Sequence, residues 1–372
     1  MDRPHTPFID WMKSLGMFLI VFGHVAGGSV VHLTPPIYLK QLGVAFFVFV
    51  TGWGLARESR DRLQVVYNRL FPVLLLGLGS AMVMSMVVFV TQRHLNASNY
   101  LPFFLGINVL LDNFPANPTT WYIGTYIHIL LLWALVLHKV RVRLWMVGVA
   151  AVGEIIFRAA MLDTEALFRT YMVLPNWTTV FLLGMYMRDR EQEAKHTTLP
   201  LYILGLMILL IAWTVGMRQV ALDEAFPFRN FVGMAGLTSL LMRSACVTFL
   251  YVAYTWLVFE VTRRLPNYII VAFFARHTLL IFIAHMPPLF ALQQPLRNMI
   301  PSYWPRIGLL MLILYPGLAM VSEGVMRLLQ PTKLRDVFWT LLSQQHKAGP
   351  SDTRVSREAK AAPVALTNKQ HP

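Results

Sequence analysis

Cysteine is nearly absent from this sequence, since Cys246 is the single one among 372 residues. One thiol cannot form an intramolecular disulfide or, by itself, a cysteine-based metal cluster. Charged side chains are also scarce at 13% of the chain, about half the share that is usual in soluble domains. Hydrophobic residues make up 56%. This composition predicts a membrane protein.

Several motifs that define large enzyme classes are missing as well. The chain has no P-loop, no glycine fingerprint for dinucleotides and no His-Glu-x-x-His zinc helix. It also lacks the Gly-x-Ser-x-Gly elbow of serine hydrolases. The 11 histidines do not form a dense array of metal ligands. The sequence therefore predicts neither a metal site nor a tightly bound cofactor.

Long apolar runs recur along the chain. A helix that crosses the hydrocarbon core needs about 20 predominantly apolar residues, and its backbone polar groups are then satisfied internally. We predict an all-α polytopic membrane protein with about ten transmembrane helices, the first of them retained rather than cleaved as a signal. The runs cover 15–31, 42–56, 70–90, 121–137, 144–161, 172–187, 199–216, 237–261, 268–290 and 307–329.

Basic residues outnumber acidic ones by 32 to 18. They lie in short clusters between the apolar runs, which is typical of membrane orientation and not of nucleic-acid binding. With the N-terminus inside, the inner segments hold 21 Lys and Arg residues and the outer segments 8, so both termini are predicted to be cytoplasmic. Residues 342–372 lack periodicity and predict a disordered basic tail near anionic membrane lipid.

The first apolar run carries an acid, a base and a histidine. On a helix, Lys13 and His24 are about three turns apart and within roughly 20° of one face, and Asp10 lies within roughly 40° of that line. Ionisable groups inside a bilayer usually face a bundle interior or a watery cavity. Lys13 at the inner mouth suits an anionic ligand, and His24 deeper in suits proton transfer. The structural alternative is that Lys13 snorkels and His24 bonds a neighbouring helix.

Short motifs recur along the chain in a fixed order. Asp10 and Lys13 come first, and Phe22-Gly23-His24 follows so that ten residues separate Lys13 from His24. The later motifs are 45–53, 69–72, 121–123, 181–184 and 277–285. Together they resemble the acyltransferase type 3 family of integral membrane O-acyltransferases. The resemblance covers about residues 8–330, and we predict that the transmembrane domain spans 1–335.

The resemblance implies transfer of an acyl group, usually acetyl, from acyl-coenzyme A to a sugar hydroxyl of an envelope polysaccharide or glycolipid at a bacterial inner membrane. Acetyl-CoA or another acyl-CoA is then a donor substrate. His24 is the expected general base. Asp10, the other catalytic candidate, is expected either to pair with Lys13 three positions on or to orient the imidazole of His24 through a neighbour. Lys13 and Arg69 are expected to bind the donor's phosphates. Trp121 and His285 are candidates for substrate binding or for donating to the developing oxyanion.

Two positions depart from the family pattern. Lys13 stands where most members have Arg, and Val66 occupies the first position of an Arg-x-x-Arg pair that ends at Arg69. A lysine offers phosphate only a point charge, whereas an arginine offers a planar fork. We predict that Arg57, Arg60 or Arg62 takes over the phosphate contacts of the arginine that is missing at position 66.

Two other functions fit the residues. In a proton-coupled transporter or flippase for a glycan-related substrate, Asp10, His24 and His285 would be relay groups. Broken spans and inverted repeats would favour this function, and the sequence has no clear internal repeat. A purely structural membrane scaffold would leave the polar stripe of the first helix unexplained. The acceptor glycan, the acylated position and the choice of acetyl or succinyl stay open at this point.

Overall fold

The computed structural model describes residues 6–26, 39–92, 100–111, 121–164, 167–190, 199–220 and 236–347, and within these ranges the chain is helical with no strand. Contacts divide the chain into two compact units, residues 1–325 and 326–372. The helices are α1 Pro7–Ala26, α2 Leu39–Leu55, α3 Arg62–Gln92, α4 Tyr100–Phe104, α5 Asn108–Leu111, α6 Trp121–Leu132, α7 Leu144–Asp163, α8 Leu167–Met172, α9 Thr178–Asp189, α10 Leu199–Val220, α11 Leu237–Thr262, α12 Ile269–Ala284, α13 Met286–Met299, α14 Tyr303–Leu312, α15 Leu318–Leu329 and α16 Pro331–Lys347.

Five helical stretches of the described chain are long and apolar enough to cross a membrane, or six if one bent pair is a single span. The prediction of a helical membrane protein is therefore confirmed at this level. The count of ten spans and the cytoplasmic placement of both termini stay predictions. The five stretches are Pro7–Ala26, Arg62–Thr91, Leu144–Asp163, Leu237–Thr262 and Tyr303–Ser343.

The bent pair replaces the single run that the sequence predicts over 268–290. Helices α12 and α13 meet at His285 with a bend of 71°. Pro287, two positions after His285, has no N–H to donate, so the carbonyl of Ile283 loses its partner within the helix. The hydroxyl of Ser80 in α3 donates to that carbonyl at 2.7 Å. The break is thus satisfied by a neighbouring helix.

Helix α2 lies between α1 and α9 and approaches both through glycines. Gly16 and Gly43 face each other where α1 crosses α2, and Gly52 and Gly184 do so where α2 crosses α9. A Cβ on Gly184 would overlap the carbonyl oxygen of Phe49. Small residues let helix backbones approach closely in membranes. These contacts fix α2 against α1 and α9.

Gly184→Ala is expected to destabilise the protein by about 1–3 kcal/mol, because the added methyl group forces α2 away from α9. The measurement is the thermal unfolding midpoint of the purified protein in detergent. Gly153→Ala in α7 is the matched control, since nothing lies within 4 Å of a Cβ there. An unchanged midpoint for Gly184→Ala would contradict the close crossing.

A buried ion pair joins α7 to α11. Arg158 Nη2 and Glu154 Oε1 are 2.6 Å apart, and both side chains are 0% exposed. Arg158 Nη1 also donates to Thr248 Oγ1 at 2.7 Å and to the carbonyl of Ser244 at 3.0 Å. Arg158 lies inside α7, within the apolar run predicted over 144–161. Its role is to hold two helices together.

The second unit contains α16, and its described residues end at Lys347. The predicted tail begins at 342, so its first six residues are helical in the structure. Residues 348–372 of that tail lie outside the described residues. The predicted domain limits, 1–335 and 342–372, stay predictions.

Candidate active site

The polar residues of helix α1 lie near its two ends. It is continuous from Pro7 to Ala26, so Asp10 and His24 are separated by about 21 Å along its axis. Asp10 interacts electrostatically with Lys13. The structure therefore groups Asp10 with Lys13 near the start of α1 and leaves His24, in the last turn, beyond its reach.

A second histidine lies beside His24. The rings of His24 and His285 have centroids 5.1 Å apart, although 261 residues separate them in the sequence. His285 sits at the break between α12 and α13, is completely buried and lies 6.4 Å from the ring of Phe282 between centroids. The two candidates that the sequence assigns to different roles thus form one pair.

The Nδ1 atom of His285 is held by the backbone of α12. It lies 3.0 Å from the carbonyl oxygen of Ile281 and 2.8 Å from that of Phe282. Carbonyl oxygens only accept hydrogen bonds, so Nδ1 carries the proton. The other ring nitrogen, Nε2, is buried and has no hydrogen-bond partner within the described chain.

A cavity of about 420 Å³ lies between α1, α2, α3, α6 and α12. Lys13 and Arg69 both line it, as the sequence predicts for one binding region. His24 and His285 are not among its lining residues. Phe282 is, and Phe282 contacts His285. The remaining lining residues are Ile9, Phe47, Val50, Thr51, Gly54, Pro72, Val73, Tyr122, Ile123, Tyr126, Thr278, Leu279 and Ile283. The cavity is thus mainly apolar, with two cations in its wall.

Arg69 passes close to the backbone of α2. A Cβ on Gly54 would lie 3.2 Å from Arg69 Nη2. Glycine at this position therefore leaves room for the guanidinium beside the cavity. The local sequence explains the contact, because Gly54 is in the last turn of α2 and Arg69 is in the first half of α3.

The three arginines predicted to replace the missing phosphate-binding arginine form hydrogen bonds or ion pairs outside the cavity. Arg57 pairs with Asp189 at 3.2 Å, and Arg62 donates to the carbonyl of Ala134 at 3.3 Å. Arg60 makes two hydrogen bonds to the buried carboxylate of Glu58, which raise the pKa of the Arg60 guanidinium. None of the three lines the cavity.

A family model described as an acyltransferase domain matches residues 6–321. The chain belongs to the acyltransferase type 3 family. That confirms the resemblance seen in the sequence, and it assigns acyltransferase activity and a multi-pass membrane location to the chain. No curated protein and no solved structure matches it.

Trp121 is not among the residues that line the cavity of the acyltransferase. Its ring packs against Tyr171 at 4.7 Å and Trp177 at 6.3 Å between centroids. Its neighbour Tyr122 faces the cavity instead and hydrogen-bonds Thr51. Sequence reasoning missed Tyr122, because adjacent helix residues point about 100° apart and the motif alone does not say which one faces inward.

Lys40 is the other residue that sequence reasoning missed. In the structure its aliphatic stem crosses Gly23, where a Cβ would overlap Lys40 Cγ, and its charge interacts with His24. Gly23 in α1 and Lys40 in α2 meet only through the packing of the two helices, so the local sequence does not predict the contact.

Other polar side chains of the acyltransferase serve the fold. His128 in α6 hydrogen-bonds the backbone of Gly106, and His277 Nδ1 lies 3.0 Å from Ser322 Oγ. Within the described chain no three His, Cys, Asp or Glu side chains group as a metal site. The acyltransferase site is therefore described by the histidine pair and the cavity with Lys13 and Arg69.

Proposed function

We propose that this acyltransferase moves an acyl group, acetyl in the simplest case, from acyl-coenzyme A to a sugar hydroxyl of an envelope polysaccharide or glycolipid at the bacterial inner membrane. The observation that carries the proposal is the cavity that Lys13 and Arg69 line, with Phe282 linking its wall to the histidine pair. The donor enters at the cytoplasmic side, where the start of α1 lies in the predicted orientation.

The charges of the cavity match the donor. Coenzyme A carries a diphosphate and a 3′-phosphate, and cations that face phosphate oxygens form charge-assisted hydrogen bonds with them. Lys13 and Arg69 supply those cations. The apolar remainder of the lining suits the long arm that ends in the thioester. This division leaves the phosphates near the start of α1 and directs the thioester toward the other end of that helix.

His24 is the proposed general base. A sugar hydroxyl is a weak nucleophile at neutral pH, so its proton must leave as its oxygen attacks the thioester carbonyl carbon. The imidazole of His24 takes that proton. The C–S bond then breaks, and the proton passes to the thiolate of coenzyme A. The products are the sugar ester and free coenzyme A.

A proton-coupled transporter of a glycan-related substrate is the second candidate. The bent pair α12 and α13 favours it, because transporters often place discontinuous helices at a binding site. The two functions have different products. A transporter moves an intact sugar, whereas the acyltransferase changes the sugar and leaves free coenzyme A.

The test uses membranes that contain the protein and acetyl-CoA labelled in the acetyl group. Label that appears in an envelope glycan, with free coenzyme A released in equal amount, supports the proposal. Movement of an intact labelled sugar across the membrane with no acetyl transfer supports the transporter instead. Membranes from cells without the protein are the control, and succinyl-CoA in place of acetyl-CoA identifies the donor.

Lys13→Met is expected to raise the KM for acyl-CoA by about tenfold and to leave kcat nearly unchanged, because one charged hydrogen bond to phosphate is lost. Lys13→Arg is expected to keep the low KM, since the guanidinium also binds phosphate. Arg57→Met is the matched control, because Arg57 is half exposed and does not line the cavity. Equal KM values for all four proteins would contradict a donor site at Lys13.

A further inference from the structure

The tautomer of His285 follows from its place at the helix break. The bend between α12 and α13 leaves the carbonyls of Ile281 and Phe282 within reach of the imidazole, and Nδ1 donates to them. A neutral imidazole has one donor nitrogen and one acceptor nitrogen. Because Nδ1 is the donor, Nε2 has a lone pair and no proton. His285 is thereby fixed as a hydrogen-bond acceptor on its remaining edge.

That acceptor lies next to His24. Nε2 of His285 is buried and accepts no hydrogen bond from His24 or any other described residue in this structure, but the two rings are only 5.1 Å apart between centroids. At this separation, edge nitrogens of two imidazoles can reach the hydrogen-bond distance of about 2.9 Å. Lys40, the cation that acts on His24, has donors only and cannot accept an N–H. His285 Nε2 can accept one.

We propose that His285 is the positioning residue of the catalytic base, with its Nε2 accepting the N–H of His24 while the other nitrogen of His24 faces the substrate. The inference rests on the proposed function. It gives His285 the place that a buried carboxylate occupies in a Ser-His-Asp triad, where the partner fixes the tautomer of the histidine and stabilises the imidazolium. Asp10 cannot do this from about 21 Å along the helix.

The pair changes the role that the sequence suggests for His285. An oxyanion donor needs a proton to offer, and the neutral ring of His285 already gives its only proton to the backbone. During the reaction the sugar hydroxyl loses its proton to His24, its oxygen bonds the acyl carbon and the C–S bond breaks. The same proton then leaves His24 for the thiolate. His285 holds the other N–H of His24 throughout, so the proton count balances.

Two conservative substitutions test the two ring nitrogens of His285 one at a time. His285→Asn places an amide N–H near the position of Nδ1, so it keeps the bond to the backbone and offers nothing to His24. His285→Gln places an amide oxygen near the position of Nε2, so it accepts from His24 and gives up the backbone bond. A positioning role therefore ranks Gln above Asn in kcat, whereas a role in capping α12 ranks Asn above Gln.

The experiment measures kcat and the KM for acetyl-CoA of each variant in membranes, normalised to folded protein. We expect the Asn variant to lose about 10²-fold in kcat with little change in KM, and the Gln variant to be about tenfold faster than the Asn variant, the effect of one restored hydrogen bond. His128→Asn is the matched control, because His128 bonds only the backbone of Gly106 among the contacts that the structure gives it.

The outcomes are distinguishable. If the wild-type protein transfers acetyl groups and the Asn variant matches its kcat, or exceeds the Gln variant, the positioning role is wrong and the acyltransferase proposal stands. If the wild-type protein transfers no acyl group from any acyl-CoA, the proposed function fails instead. Thermal midpoints of both variants show how much stability each has lost. The kcat values are compared per folded molecule, so that a partly unfolded variant does not count as an inactive one.

Discussion

His24→Ala is expected to lower the rate of acyl transfer by about 10²–10⁴-fold, which is the contribution of a positioned general base. The reason is chemical: without the imidazole, no group takes the proton of the attacking hydroxyl. The alanine variant keeps Lys13 and Arg69, so its KM for acyl-CoA is expected to change little. The measurement is the initial rate of label transfer from acetyl-CoA to the glycan in membranes with equal amounts of protein.

His128→Ala is the control for this prediction. His128 is another histidine of a membrane helix, and it bonds the backbone of Gly106. Its loss is expected to leave the transfer rate within a few-fold of wild type. A normal rate for His24→Ala would show that His24 is not the base and would remove the basis for the histidine pair.

Arg158→Met is expected to destabilise the protein by about 3–5 kcal/mol, because it leaves the carboxylate of Glu154 buried without its counter-charge. The pair is completely buried, and Thr248 contacts both members. One methionine therefore disturbs the junction of α7 and α11. The expected observation is a large fall in folded protein after detergent extraction and size-exclusion chromatography, together with a lower thermal midpoint.

The double variant Glu154→Gln with Arg158→Met is the matched control. It removes both charges, so no unpaired ion stays buried, and we expect it to regain much of the lost stability. Transfer activity per folded molecule is expected to be near wild type in both proteins, because the pair lies outside the cavity lining. A double variant no more stable than Arg158→Met would contradict this account.

The polar stripe of α1 could be predicted because it depends on one helix. The spacing of Lys13 and His24 sets their common face, and the structure has that helix unbroken over the whole interval. The same helix brings Asp10 to Lys13, three positions on, and the two interact, whereas Asp10 and His24 are about 21 Å apart along its axis. The long helices α7 and α11 were predicted nearly to the residue for a similar reason: each is a single apolar run.

The histidine pair could not be predicted from the sequence. His24 and His285 meet only because α12 packs on α1, and the bend at Pro287 sets the orientation of His285. Trp121 does not line the cavity, because its ring packs on Tyr171 of α8 and on Trp177, and those contacts between distant segments cannot be seen in the sequence. Arg57 and Arg62 likewise bond residues far along the chain, Asp189 and Ala134, which no local pattern specifies.

The sequence by itself determined that this is a helical membrane protein, placed it in the acyltransferase type 3 family and singled out His24, Lys13 and Arg69. Those conclusions rest on hydrophobic run length, on helix periodicity and on motifs within short stretches. Only the tertiary structure decided that Lys13 and Arg69 share one cavity and that the rings of His24 and His285 lie side by side. Contacts between distant helices depend on packing, and packing brings together side chains whose positions in the chain are unrelated.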